Sequence, residues 1–332
     1  MNIADLINKD GEKYSPYMSG LVNHLPMGQL ALYKLTDDLE KVKEYSEGYL
    51  KRSSIDLVKE REVEVNSLDE CLGERDLYKP CLNLIRMILQ QDPLEDLVSF
   101  VLNKYPLGMS SGLFHTTIRL AYAIEGYKID NSLQEEVERA LAYYITGYRK
   151  GDKFTRKVPA EDTREAMSNM INNPKIEKVR ESDRSLGQKL EEFYGDEEFL
   201  KEGFIVEGGE EEKVTGILDV LVPAFYNTNN IVMLHTITGL HAVIVLKDYF
   251  DDYMEALDIL TTTAIAHILT QKDLDIGIKD IEIDESLEEI IDRVSDSKGV
   301  HTIKIGYTGR TLCKLFGRED LKYGIYQRLE KE

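Results

Sequence analysis

Four of the six histidines in this chain lie in apolar, helix-like surroundings where a solvated imidazole is not expected: His24 in LVNHLPM, His115 in GLFHTTIRLAYAIE, His235 in IVMLHTITGL and His301 in GVHTIKIGY. A buried imidazole needs partners for two ring nitrogens, and four such groups from four well-separated stretches can satisfy that need together by ligating one metal ion. Lys304 follows His301 at i+3, so both reach one point beside a helix. An ammonium has no lone pair for a metal. Lys304 therefore reads in one of two ways: deprotonated or carboxylated on its nitrogen it is a further ligand, and charged it holds substrate or activated oxygen. His115, Arg119 and Tyr122 fall at i, i+4 and i+7 on one helical face, which makes Arg119 and Tyr122 catalytic candidates beside Lys304. Each has a plain alternative: a core histidine satisfied locally, an arginine paired with an acid such as Glu125, a lysine on the surface.

Two further histidines compete for a place in the set. His241 lies six residues after His235 and so on another helix face, which leaves at most one of the pair pointing at a common centre. His235 is the expected ligand, with Thr238 at i+3 to support its face by hydrogen bonding. His267, in TTTAIAHILTQ, reads as a core residue.

These side chains are carried by a chain in which spacing of three and four recurs and strict alternation is scarce, as in Leu133, Val137, Leu141 and Tyr144. The expected fold class is all-α: a single large, multi-helix, bundle-like domain over residues 1–332. Helices are predicted near 27–50, 76–90, 93–104, 111–126 and 132–148, then near 213–226, 229–249, 252–271, 285–295, 299–316 and 318–330. Ser132 with Glu135 reads as a capping box, and Asp92-Pro93 as an N-cap followed by a first-turn proline. Pro26 suits the first turn of a helix and puts His24 just before its start. Residues 150–212 turn charged and polar, and read as a more peripheral helical segment within the same domain.

Composition narrows the partners. A net charge of −20 argues against nucleic acid or an anionic membrane. The most apolar stretch, Ile231 to Leu246, carries two histidines and falls short of a membrane span. Three cysteines without a C-x-x-C pair, and an amino terminus without a secretory pattern, fit a cytoplasmic protein. No histidine has a glutamate three residues before it, which removes the paired Glu-x-x-His of di-iron bundles. The H-E-x-x-H helix, the phosphate-binding loop, the G-x-G-x-x-G turn and the His-Asp dipeptide are missing too.

Taken in order, NHLPM with ALYKL behind it, GLFHTTIRLAYAIE, LHTIT and HTIK resemble the signature of the questin oxidase-like family, in register from about His24 to Lys304. The most specific block is FHTTIRLAYAIE, similar to the family's F-H-x-x-I-R-L-x-Y-A-x-E. Characterised members oxidatively open or rearrange anthraquinone-type rings in fungal polyketide pathways. The resemblance implies a largely helical fold and a non-haem Fe(II) centre with His24, His115, His235 and His301 as ligands and Lys304 as a modified one. It also implies O2 and an aromatic or quinone-like small molecule as substrates; a need for NADPH, the choice between mono- and dioxygenase chemistry, and the oligomeric state stay open. Two other functions compete: a zinc-dependent hydrolase on the same histidines, and a non-catalytic helical protein that binds a ligand or partner.

Overall fold

The computed structural model describes residues 2–18 and 21–332. It is 68% helical and 3% strand, with 17 α-helices among the described residues, so the fold is all-α as expected. The first half holds α1 (Ile3–Lys13), the short hairpin of β1 (Tyr17–Met18) and β2 (Leu21–Val22), then α2 (Leu25–Thr36), α3 (Leu39–Arg52), α4 (Tyr78–Ile88), α5 (Leu94–Lys104), α6 (His115–Ile129) and α7 (Gln134–Thr146). The middle holds β3 (Arg156–Val158), α8 (Thr163–Ile171), α9 (Pro174–Glu181), α10 (Leu186–Gly195), α11 (Glu197–Glu202) and β4 (Phe204–Val206). The last third is α12 (Glu210–Thr228), α13 (Ile231–Val245), α14 (Tyr253–Leu269), α15 (Leu287–Val294), α16 (Val300–Phe316) and α17 (Leu321–Leu329).

Several predicted boundaries move, each for a local reason. The single helix expected over 27–50 is two: Asp37 ends α2 in the left-handed region at φ 52°, and the Asp38 carboxylate caps α3 by accepting from the N–H groups of Glu40 and Lys41. The capping box at Ser132 does not form. Asp130 takes the capping role, accepting from the Ser132 N–H and hydroxyl, and a 3₁₀ turn (Asn131–Leu133) precedes α7. Pro93 is the N-cap of α5 rather than its first residue. The 150–212 stretch, expected to be helical, also contains β3 and β4, paired in parallel with Arg156 opposite Phe204. Three residues per strand are too few to carry a readable alternation. Cys71 and Cys81 are both fully buried, and all three cysteines are free.

α13 is the centre of the molecule. Residues 232–244 are buried all round, which is why its sequence has no polar face. It packs on α6, α12, α14 and α16, while α2 packs on both α6 and α16. The helices α2, α6, α13 and α16 thus close a ring of contacts, α2 to α6 to α13 to α16 and back to α2. Beside this ring α7 covers α6, fixed by a buried ion cluster: Arg119 Nε and Arg139 Nε each donate to the Glu136 carboxylate at 2.8 Å, and Arg139 reaches Asn8 on α1 at 2.5 Å. No helix among the described residues is long and apolar enough to cross a membrane.

Candidate metal centre

Each helix of the ring presents one histidine at its N-terminal end. His24 is the N-cap of α2, with Pro26 behind it in the first turn. His115 is the first residue of α6, His235 the fifth of α13 and His301 the second of α16. One ligand nitrogen from each of the four lies within 4.8 Å of the others. Ring centroids are 4.5 Å apart for His24 and His115, 4.3 Å for His115 and His235, 5.0 Å for His235 and His301, and 4.7 Å for His24 and His301. Three of the four are buried and His301 is partly exposed.

Backbone carbonyls fix three of the rings. His24 Nδ1 donates to Val22 O at 2.7 Å, His115 Nδ1 to Gly112 O, and His235 Nδ1 to Ile231 O at 2.7 Å, one helical turn back. A carbonyl only accepts, so Nδ1 carries the proton in each and Nε2 of the neutral ring is a bare lone pair. Two of those lone pairs, on His24 and His115, face each other at 2.6 Å, and the third, His235 Nε2, is buried with no partner. Facing lone pairs repel unless a cation stands between them. The cation is either a proton or a metal.

Electrostatics disfavours the proton. Burial pushes His24 well below the ordinary imidazole value, with His115, Lys304 and His301 adding to the effect. Burial and then Lys304 push His115 down to about 3. His235 is lowered well below by burial and then by His115, and His301 by burial and then by Lys304. Four helix N-termini, each with partial positive charge, act in the same direction. The geometry thus provides neutral nitrogen donors aimed inward with their outer nitrogens tied to carbonyls, which is how metal-ligating histidines are held. The donor set fits a divalent transition metal.

The turn before His115 is strained to achieve this. Gly112, Leu113 and Phe114 occupy the left-handed region at φ 58°, 59° and 64°. Two of these are not glycine, a conformation that costs about 1 kcal/mol or more per residue and gathers where a site must be aimed. The turn brings the Gly112 carbonyl onto His115. Phe114 stays fully buried, packed against His267 at 5.0 Å.

Lys304 belongs to the same place. It is fully buried, its Nζ has no partner, and its charge acts on all four histidines. Burial lowers the amine to about 7. The other candidates make contacts of their own. Arg119 pairs with Glu136, not with an acid such as Glu125, whose carboxylate instead takes Lys34 at 3.1 Å and the Tyr307 hydroxyl. Tyr122 lies against Tyr307, 5.9 Å between centroids. Thr238 does face back toward His235, but its hydroxyl donates to the His235 carbonyl at 3.3 Å rather than to the ring. His241 bonds Thr308, further along α16, at 3.2 Å, and His267 bonds Thr263 O, so neither joins the four.

The sequence could not announce the supporting groups. Val22 and Ile231 act through backbone carbonyls, and Tyr49 accepts the His24 N–H at 3.1 Å from the far end of α3. Only Gly112 left a trace, as a glycine ahead of FHTT. No family model matches the chain, and no curated protein is significantly similar to it.

Proposed function

We propose that the chain is a non-haem iron oxygenase of the questin oxidase-like kind, acting with O2 on an aromatic or quinone-like small molecule. The observation that supports this best is the set of inward lone pairs on His24, His115 and His235, completed by His301, with no carboxylate among the donors. Iron and the aromatic substrate come from the resemblance of the four histidine-bearing blocks in their order. Fe(II) held by these histidines would supply O2 activation.

The chain's own residues then have defined tasks. The carbonyls of Val22, Gly112 and Ile231 hold the imidazoles in one tautomer, so that no reorganisation is needed when the metal binds. Lys304, with a free and easily deprotonated amine, adds CO2 on Nζ with loss of a proton; the resulting carbamate supplies the anionic oxygen that four neutral imidazoles lack. The close-packed ring of α2, α6, α13 and α16 keeps bulk water from the buried side.

The test is metal content by elemental analysis of protein purified without chelators, alongside His115→Ala. About one iron per chain, absent from the variant, supports the oxygenase. Stoichiometric zinc supports the hydrolase in its place, and no metal in either protein leaves a helical binding protein.

A further inference from the structure

A recess of about 530 Å³ opens beneath residues 53–61, where the chain crosses the start of the fold. Its rim is pinned by backbone bonds, Ser15 N–H to Asp56 O at 2.8 Å and Val58 N–H to Lys13 O at 3.1 Å. Tyr17, Leu57, Arg75 and Tyr78 line it. Of the other charged residues around it, Arg61 pairs with Asp76 at 3.1 Å and Lys79 with Glu60 at 3.2 Å, while Asp56 and Lys59 have no ion pair among the described residues. Arg75 has no such partner among the described residues. Its guanidinium stands 5.3 Å over the Tyr17 ring, and the Tyr17 and Tyr78 rings meet edge to face at 6.2 Å.

Behind this floor lie donors that nothing satisfies. The Tyr78 hydroxyl is buried without a partner, and so are both terminal nitrogens of Arg119, whose Nε alone is engaged. Arg119 and Arg139 share one fully buried carboxylate, Glu136, and Arg139 also reaches Glu135 at 3.4 Å, so Arg119 is the less completely paired of the two. Unsatisfied buried donors are costly, and an arginine fork matches a carboxylate in shape and charge. In a chain of net charge −20, two incompletely paired arginines on either side of a tyrosine pair form a local exception.

The recess is also close to the metal centre. Tyr17 touches Tyr143 at 5.2 Å, and the Tyr143 hydroxyl lies 3.4 Å from where a Cβ on Gly112 would sit, the residue whose carbonyl holds His115. One aromatic layer separates the two.

We infer that this recess is a binding site for an aromatic carboxylate. The Arg75 fork takes the carboxylate, the rings of Tyr17 and Tyr78 flank the ligand, and the Tyr78 hydroxyl and Arg119 draw its polar edge inward. Binding itself needs no metal; only the view that the ligand is the centre's substrate rests on the function proposed above.

The probe is 2-naphthoate, titrated by fluorescence and calorimetry into the full chain, with neutral 2-naphthamide as the control of equal shape. Naphthoate is expected to saturate and to bind at least about tenfold tighter than the amide, the scale of one charge-assisted pair. Arg75→Gln, at an exposed position, brings naphthoate to the affinity of the amide, and Tyr78→Phe weakens it severalfold. His115→Ala, which loses the centre, keeps naphthoate affinity. Equal binding of both probes, no saturation, or full affinity in Arg75→Gln overturns the site. A loss in His115→Ala also overturns it, by putting the probe on the metal. Metal content measured on the same samples judges the functional reading separately.

Discussion

Metal binding at the four histidines must appear as thermal stability, and its size can be worked out. In the metal-free chain the Nε2 lone pairs of His24, His115 and His235 are buried without a donor, each costing about 1–3 kcal/mol. A metal removes that cost in the folded state alone, because the four ligands are spread from residue 24 to residue 301 and the unfolded chain cannot gather them. At a hundredfold excess over the dissociation constant the gain is about 2.7 kcal/mol. For a chain of 332 residues the unfolding entropy is roughly 0.7 kcal/mol per kelvin, so the midpoint rises about 4 °C. Each further tenfold in metal adds about 1.4 kcal/mol, or about 2 °C more. The assay is scanning calorimetry of chelator-treated protein with Fe(II) added anaerobically in decade steps, repeated with Zn(II). His235→Phe, which keeps the packing volume and deletes one donor, should flatten the series. Midpoints that stay put for every divalent metal tried would refute the reasoning, and so would an unchanged slope in His235→Phe.

Other expectations follow from single contacts. Lys304→Met keeps the shape of a buried, partnerless amine but removes its polarity, so the chelated protein should melt a few degrees higher while metal affinity drops; native mass spectrometry should find the mass of one CO2 on the parent chain and none on the variant. Glu136→Gln strips the shared carboxylate from Arg119 and Arg139, and urea unfolding should show a loss of about 3–5 kcal/mol. Burial raises the cost of that carboxylate, yet the two arginines outweigh it and hold Glu136 below its ordinary value, so the ion cluster persists well into acid. His267 is lowered to about 4 by burial, away from the metal set. Its unfolded form binds a proton near pH 6.5 and its folded form does not until about 4, so stability must fall as pH drops through that window. The loss is about 2 kcal/mol by pH 5. In His267→Leu the difference in urea midpoint between pH 7 and pH 5 should shrink by that amount.

What was legible in the sequence was local. Helices announced themselves by spacing of three and four, since that period is a property of neighbouring residues; that α13 lies at the centre came only from the packing around it. The break between α2 and α3 was not seen because a left-handed Asp37 leaves no mark in the hydrophobic pattern. Strands β3 and β4 were missed because two three-residue segments pair across 45 intervening residues of unrelated helices, a partnership no local pattern encodes.

The candidate centre divides in the same way. An imidazole in an apolar setting is a polar group that needs satisfying, so His24, His115, His235 and His301 stood out from composition alone, and the six-residue step from His235 to His241 ruled that both could not point one way. Tertiary structure decided that the four meet, that Val22, Gly112 and Ile231 fix three of their tautomers, and that Lys304 stays without a partner beside them. It also turned Arg119 away to Glu136 and Tyr122 toward Tyr307, although both share a helical face with His115. A face spans a wide arc, and which neighbour fills each part of it depends on helices far away in the chain. Residue types and their spacing determine which groups must find partners; the closure of α2, α6, α13 and α16 into one ring determines which partners they find, because contacts between residues 91 positions apart, as His24 and His115 are, come only from long-range packing.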